Sequence, residues 1–492
     1  MAFVHSRPML AATLAVVATV ALLLAGNGMN PVWPLMWVAF IPLLLLAAET
    51  TSWRIAAAAA VLSILLGSLT MLYYLHFALH LSVLGWLIPF SIASRLVAAG
   101  VLLFRALLHR GAVFGAVIAL PAFWTLCEYL ASFVPANGTA GSLAYTQQGF
   151  LPILQVASLT GPWGITFLLL LFPSAVVCAL YLRRRKLAHA APVLASAFAV
   201  LAAAVLFGAV RLATPNAQQT IKVGLLDTDT VTFAGPAPAM QQLADRYAAQ
   251  AESLARQGAK IVLMPEKTGL LLDRDTQNVD PVLQSVADRT GATLVIGVQH
   301  VTAHDSFNEA RIYTPDQPVT TYHKQHMLPP FESDLTPGAS LAMLSKPALP
   351  IGVAICKDMD FIHPALDYGR SGIALLLDPA WDFTIDRAWH GHIAIMRGVE
   401  GGYAIAHTAK HGFLTVTDDR GRILGEVRTS TSETSTGEAT TNTAAFASLL
   451  VDVPLRHDPT VFDRYGAWFP WLAALLLLAA LVQLLTAPRQ PS

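Results

Sequence analysis

The stretch Ile351-Gly352-Val353-Ala354-Ile355-Cys356-Lys357-Asp358-Met359-Asp360 decides how the chain is read. A short apolar run with β-branched residues predicts a buried strand, and the run stops abruptly at a cysteine followed by charged residues. A strand end of this kind presents a nucleophile, although a cysteine taken alone reads first as a small core hydrophobe. Two further segments share the pattern. Met264-Pro265-Glu266 closes the apolar run that starts at Ile261, and Tyr322-His323-Lys324-Gln325-His326-Met327-Leu328-Pro329 sets a lysine between polar neighbours and a proline turn. Glu266, Lys324 and Cys356 thus follow one another in the chain, each beside the end of an extended segment.

The chain has 492 residues, of which 55% are hydrophobic and only 13% charged, with a formal net charge of zero. Globular proteins carry about a quarter charged residues, so much of this chain is expected in lipid. The neutral balance gives no reason to propose nucleic acid as a partner. Of the three cysteines, Cys127 and Cys178 fall inside apolar runs, which leaves Cys356 alone in the polar part of the chain and argues against a structural disulfide or a Cys-based metal site.

Apolar segments long enough to cross a bilayer occur at about Met9–Gly26, Val32–Ala48, Ile55–Tyr74, Val83–Leu107, Ala112–Phe133, Trp163–Leu182, Pro192–Leu212 and Trp468–Thr486, about eight spans in all. The first has no cleavage site leading into a polar domain and reads as a retained helix. With the N-terminus in the cytoplasm, Arg7, Arg54, Arg105, Arg110 and Arg183-Arg184-Arg185-Lys186 all fall on the cytoplasmic side, whereas the opposite connections, Asn27–Pro31, His76–Leu81 and Val134–Pro162, contain no Lys or Arg. Counting crossings places 214–464 outside the cytoplasm, on the periplasmic side of a bacterial inner membrane, and returns the tail Ala487–Ser492 to the inside.

Three parts are therefore expected: a membrane domain over 1–213, an α/β domain over 214–455, and a re-entrant segment with the last helix over 456–492. The middle part alternates strands and helices: strand Ile221–Leu226, helix Met240–Gln257, strand Lys260–Met264, helix Pro281–Ala287, strand Thr293–Val298, helix Pro364–Arg370, strand Ile373–Leu377, helix Arg387–Glu400, and strands Tyr403–His407 and Phe413–Thr417. Thr429–Thr443, crowded with Ser, Thr and Glu, reads as a solvated loop.

A thiol is a good acyl acceptor only as thiolate, and an unassisted cysteine is mostly protonated at neutral pH. Glu266 is the candidate general base and Lys324 the fixed positive charge for a tetrahedral oxyanion, with the backbone N–H of Lys357 as a second donor. Taken singly, Glu266 and Lys324 read as ordinary surface charges; their joint placement beside Cys356 favours catalysis.

These three positions resemble the Glu-Lys-Cys triad of the nitrilase superfamily. With its flanking membrane helices, nearly the whole chain resembles the bacterial apolipoprotein N-acyltransferases. Pro265-Glu266, Tyr322-His323-Lys324 and Cys356 fall on the triad motifs, and Glu332 falls on a further glutamate of the family. Leu143–Phe167, with Tyr145, Gln155, Gly161 and Gly164, is similar to the family's segment before its sixth helix. Arg397 and Glu400 resemble the helix behind the site, and Leu455–Trp468, with Thr460 and Arg464, resembles the approach to the last helix. The resemblance implies a polytopic helical membrane domain joined to an αββα sandwich. The implied activity moves a fatty acyl chain from a phospholipid onto the cysteine, then onto the N-terminal amine of a diacylglyceryl-cysteine apolipoprotein. No cofactor is expected, and a monomer is.

Such an enzyme must open its site at the lipid surface, because each exposed acyl CH₂ costs about 0.8 kcal/mol. Met327, Leu328, Phe331, Trp381 and Phe383 flank the catalytic segments and suit either that acyl entrance or packing. Glu128, inside the fifth span, suits either a functional intramembrane acid or an interfacial residue.

The chain also departs from the family, which has Tyr and Glu where Lys357 and Asp358 follow the cysteine here; a cation beside the nucleophile favours the thiolate. Asp358 and Glu332 are expected to position charge around Lys324 and the site. Asp378-Pro379-Ala380-Trp381-Asp382 is only loosely similar to the family's Asn-Asp segment, and Tyr465-Gly466-Ala467 lacks its acidic residue. The pairs His390/His392 and His407/His411 lack converging geometry and a supporting carboxylate set, so no metal is expected. Two other functions fit the same residues: a membrane-tethered amidase or hydrolase in which water resolves the acyl-enzyme, and a non-catalytic lipoprotein-binding paralogue.

Overall fold

The computed structural model describes residues 6–186, 190–213, 219–231, 233–344, 350–429 and 446–487. Beyond Thr429 and Ala487, the expected loop Thr429–Thr443 and the tail Ala487–Ser492 lie outside these residues. The chain divides into two units: 1–134 with 141–213 and 465–492, and 135–140 with 214–464.

The first unit is helical. Among the described residues, six helices are long and apolar enough to cross a membrane: Pro8–Gly26, Val83–His109, Val113–Ala131, Pro162–Arg184, Ala190–Ala213 and Phe469–Thr486. The expected span at Ile55–Tyr74 is a pair, Trp53–Gly67 and Leu69–Phe77, bent by 44°. The expected span at Val32–Ala48 is two shorter pieces, Trp33–Met36 and Ile41–Glu49. Large apolar side chains such as Leu485, Trp471 and Leu206 remain exposed on these helices, as surfaces solvated by lipid require. Glu128 is closed off within the unit: Trp124 Nε1 (3.0 Å) and the Leu143 amide (2.9 Å) donate to one oxygen, Ser142 Oγ (2.7 Å) and Thr166 Oγ1 (2.8 Å) to the other. Four donors on one carboxylate make it a tie between three chain segments.

The second unit is built from the strands β1 (Thr220–Asp227), β2 (Ile261–Leu263), β3 (Leu270–Leu272), β4 (Thr293–Val301), β5 (Ser306–Tyr313), β6 (Thr320–His323), β7 (Ala342–Leu344), β8 (Ile351–Val353), β9 (Leu375–Trp381), β10 (Ala404–Lys410), β11 (Phe413–Thr417), β12 (Ile423–Arg428) and β13 (Ala447–Pro454). Its main helices are α1 (Ala239–Arg256), α2 (Thr276–Thr290), α3 (Ala365–Arg370) and α4 (Trp389–Gly401). One sheet has the order β13-β1-β2-β4-β5-β6, with β3 beside β4; the other has the order β12-β11-β10-β9-β8-β7. In this αββα sandwich β1 faces β10, α1 covers the first sheet and α4 the second. Met240, Leu243, Ala244, Tyr247, Ala251 and Leu254 recur at helical spacing along α1 and are all buried. They pack on Leu226, Val262 and Leu294 of the first sheet, at about 1.5–3 kcal/mol for each large side chain.

The structure moves several expected boundaries. The second unit runs on to Arg464 instead of ending at 455, because Thr460 donates to the Glu400 carbonyl and Arg370 to the Asp463 carbonyl. The helix expected at Pro281–Ala287 begins a turn earlier, at Thr276. The strand expected at Ile373–Leu377 continues through Asp378-Pro379-Ala380 to Trp381. A proline is tolerated there because the Leu377 carbonyl already faces β8 by accepting the Ala354 amide. Pro379 shares that orientation two residues on, where β8 has ended and needs no N–H.

The close approach of β4 to the Pro265-Glu266-Lys267 turn requires glycine at 297. A Cβ there would lie 2.6 Å from Glu266 Cα and 2.7 Å from the Pro265 carbonyl oxygen, while the Gly297 amide itself donates to Pro265 at 3.0 Å. Gly297→Ala is therefore expected to destabilise the fold by about 1–3 kcal/mol through overpacking, read as a lower Tm; an unchanged Tm would mean that the turn yields without cost.

Candidate active site

Cys356 sits just past β8, at φ 45°, a left-handed conformation that costs a non-glycine residue about 1–3 kcal/mol and is found where surrounding contacts enforce it. Its amide donates to Asp378 Oδ1 at 2.7 Å, and its sulfur lies 3.9 Å from the Trp381 carbonyl oxygen. Lys267, next to Glu266, also has a positive φ, 42°. Both turns leave strands that end at the same edge of the sandwich, and this brings residues 90 positions apart in sequence into one site.

Glu266, Lys324 and Glu332 are almost fully buried, at 2%, 1% and 1% exposure, so each charge depends on the others. Lys324 Nζ donates to Glu266 Oε1 (2.8 Å) and Glu332 Oε2 (2.9 Å). Lys267 Nζ donates to Glu332 Oε1 at 2.7 Å. The Asn308 amide nitrogen bridges the two carboxylates, reaching Glu266 Oε1 at 2.5 Å and Glu332 Oε1 at 2.7 Å, and the Asn308 carbonyl accepts the Lys324 amide. Two cations thus face two anions. Burial lowers the Lys324 pKa, but Glu266 and Glu332 outweigh it and hold the ammonium well above its ordinary range. With two of its three N–H groups engaged, Lys324 keeps one for an oxyanion.

Burial also raises the Cys356 pKa well above the ordinary thiol range, and Glu266 adds to the rise, while Lys324 opposes it. The resting group is a thiol that needs a base.

The supporting residues divide. Glu332 is in the network, and the Leu328 amide fixes its second oxygen at 2.8 Å. Asp358 does not meet the Lys324 ammonium. It accepts Tyr322 Oη (2.8 Å) and the amides of Gln325 (3.1 Å), His326 (2.9 Å) and Ile355 (3.1 Å), so that it ties the cysteine turn to the segment that carries Lys324. Lys357, expected to favour the thiolate, turns instead to Asp360 at 2.9 Å, and its charge is spent on that buried pair. Arg397 and Glu400 pair with each other, and Arg397 Nε donates to the Met359 carbonyl at 2.8 Å.

Of the apolar residues, Phe331 and Phe383 come together, with ring centroids 5.8 Å apart and Phe331 exposed. Met327 and Leu328 are partly buried on the segment leading to Phe331. Trp381 lies under the ammonium groups of Lys410 (4.4 Å) and Lys267 (5.6 Å), so its ring is a floor for charge. Of the four histidines His390, His392, His407 and His411, three meet carboxylates: His390 lies 3.0 Å from Asp386 and 3.5 Å from Asp360, His407 lies 2.7 Å from Asp378, and His411 lies 3.5 Å from Asp229.

Asn308 and Lys267 escape sequence reasoning. Asn308 lies in β5, a strand whose Asn, Glu and Arg residues break the apolar alternation that betrays a half-buried strand. A usable signal was the position of Lys267 immediately after Glu266.

Comparison with known proteins gives the same outline. The profile of the apolipoprotein N-acyltransferase N-terminal domain matches residues 18–175 and that of the carbon-nitrogen hydrolases matches residues 236–447. An apolipoprotein N-acyltransferase of Geobacter metallireducens is 25% identical over 493 residues, covering 91% of each chain. One of Bradyrhizobium diazoefficiens is 26% identical, covering 78% of this chain and 77% of its own. Among solved structures, an amidase from Nesterenkonia sp. superposes with a TM-score of 0.41 at 19% identity, over 52% of this chain and 96% of the amidase.

The network sets an acid limit to stability. Burial raises the Glu332 pKa, but Lys324 and Lys267 outweigh it and bring the carboxyl down to about 2. Its contribution is present above the unfolded carboxylate range, near pH 4.5, and is lost as pH falls toward 2. A shift of this size corresponds to about 3 kcal/mol. Glu332→Gln is expected to lower Tm at pH 7 and to flatten the decline between pH 5 and 2; parallel curves for the two proteins would count against the assignment.

Proposed function

Since the chain belongs to the apolipoprotein N-acyltransferases, within the carbon-nitrogen hydrolase superfamily, we propose that it acylates the N-terminal amine of diacylglyceryl-cysteine apolipoproteins through a thioester on Cys356. The observation that carries the reading is the buried Glu266–Lys324–Glu332 network around a cysteine held at positive φ. The membrane helices supply the second reason, because both substrates carry acyl chains that stay in lipid.

The reaction takes place in two halves. Glu266 accepts the thiol proton as sulfur attacks the ester carbonyl of a phospholipid. The oxyanion forms against the remaining N–H of Lys324 and the Lys357 backbone amide. Collapse breaks the ester C–O bond, Glu266 returns the proton to the departing lysophospholipid oxygen, and the acyl group remains on sulfur. The lipoprotein amine then attacks the thioester, Glu266 takes a proton from the nitrogen and delivers it to the departing sulfur, and the amide leaves. One site thus handles both substrates in turn, as ping-pong kinetics require.

Phe331 and Phe383, with Met327 and Leu328 beside them, form the apolar rim proposed to receive the acyl chain. The Lys and Arg distribution supports a periplasmic catalytic unit at the bacterial inner membrane with both termini in the cytoplasm, and the site is complete within one chain, as suits a monomer.

Intact-mass analysis of the full-length protein in phospholipid is expected to show an acyl adduct that Cys356→Ala abolishes and that a diacylated lipopeptide with a free N-terminus removes as the N-acyl product. Loss of the adduct to water alone would indicate a hydrolase, and absence of any adduct would refute the acyl-enzyme.

The electrostatics predict a split for Glu266→Gln. Removing the carboxylate takes away a charge that raises the thiol pKa, while Lys324 remains. Stoichiometric alkylation of Cys356 by iodoacetamide at pH 7 is expected to become faster, whereas acyl transfer falls by about 10²-fold or more. Acyl transfer that keeps its native rate in Glu266→Gln would mean that Glu266 does not act as the base.

A further inference from the structure

Beside the nucleophile lies a second charged cluster that the mechanism above does not use. Asp378 Oδ1 accepts the backbone amide of Cys356 at 2.7 Å. Its other oxygen meets His407 Nδ1, also at 2.7 Å. The opposite nitrogen of the same ring, Nε2, points to Asp382 Oδ2 at 3.6 Å. All three side chains are buried, at 1%, 2% and 0% exposure. Their register is built into the sheet, where His407 of β10 pairs with Asp378 of β9. Neither oxygen of Asp382 has a hydrogen-bond donor among the described residues, and its space depends on Gly412, where a Cβ would lie 2.6 Å from Asp382 Oδ2.

Two buried carboxylates this close to a thiol are costly without a cation, and His407 is the ring placed between them. We propose that His407 is a positioning residue for the nucleophile: it holds Asp378 on the Cys356 amide, which keeps the cysteine turn in its left-handed conformation, and it screens the sulfur from Asp378 and Asp382. The inference rests on Cys356 being the nucleophile of the proposed function.

Three further observations fit this role. Cys356 has no glycine's freedom at φ 45°, so an external bond to its amide is what secures the turn. Burial acts to discharge His407, but Asp378 and Asp382 win and raise its pKa to about 10, so the ring is cationic at neutral pH. Both carboxylates act to raise the Cys356 pKa. The charged groups around the cluster are His390 and Asp386, which act on Asp382 from the side of α4, and the Lys410 segment, whose backbone carbonyl accepts the Asp382 amide. The amide taken by Asp378 is also unavailable to an oxyanion, which leaves that task to Lys324 and the next amide along.

The test compares the full-length protein with His407→Asn, which keeps a donor where Nδ1 lies but removes the charge, with His407→Ala, which removes both, and with the near-isosteric Asp378→Asn. Two quantities are read: the pH midpoint of Cys356 alkylation by iodoacetamide, and the rate of acyl-thioester formation from phospholipid. His407→Asn is expected to raise the alkylation midpoint by roughly one unit and Asp378→Asn to lower it. His407→Ala is expected to slow thioester formation on the order of 10²-fold, with partial recovery in His407→Asn. Opposite shifts at matched thermal stability are not the signature of a general loss of packing. Unchanged midpoints in both His407→Asn and Asp378→Asn would overturn the proposal, as would a measurable rate of thioester formation that is equal in His407→Ala and the native protein. A native protein that shows the midpoint shifts on mutation but forms no acyl adduct would support the positioning role and refute the acyltransfer reading, so the two failures are distinct.

Discussion

A single buried ammonium governs the architecture of the catalytic unit. Lys324 is 1% exposed, and an ion taken out of water at an effective cost of several kilocalories per mole survives only among partners of opposite charge. Glu266 and Glu332 are those partners, and they in turn need Lys267 and Asn308 to satisfy their remaining oxygens. These five side chains come from the turn after β2, from β5, from the exit of β6 and from the segment that follows it. The pairing therefore fixes how four pieces of chain meet.

The surroundings of Cys356 obey the same rule with opposite effect. Burial and carboxylates oppose the thiolate, while Lys324 favours it. A thiol kept protonated at rest is protected from adventitious oxidants and electrophiles; in the proposed mechanism it becomes nucleophilic only as Glu266 takes the proton. Such a site is built from positioning as much as from charge. Asp358 joins the cysteine turn to the Lys324 segment through four donors on one side chain and backbone, and Asp378 holds the cysteine amide from the opposite direction. The membrane unit meets the requirement independently: Glu128 is supplied with four donors from its own unit, because lipid offers none.

Much of this was legible in the chain. Strand ends at Met264 and Ile355 showed where Glu266 and Cys356 would stand. The periodicity of Met240 to Leu254 marked the helix over the first sheet. Legibility failed where burial is polar. β5 carries Asn308, Glu309 and Arg311, all buried in ion pairs and hydrogen bonds, so its alternation cannot be seen from hydropathy. β9 continues through Pro379, which local rules treat as a strand breaker, because its neighbour has ended there. Lys357 looked like a cation for the thiolate, but a partner three residues away, Asp360, claims it.

The sequence by itself determined the membrane helices, the alternating α/β region and the three positions Glu266, Lys324 and Cys356, since apolar length, residue period and chain punctuation are properties of neighbouring residues. Only the tertiary structure decided which charges neutralise one another. Asn308 bridging two glutamates, Asp358 tying two turns and His407 standing between two aspartates all depend on distances across sheets, between residues tens of positions apart. In a low-dielectric interior such distances, and not residue type, set whether a charge catalyses, positions or merely pairs.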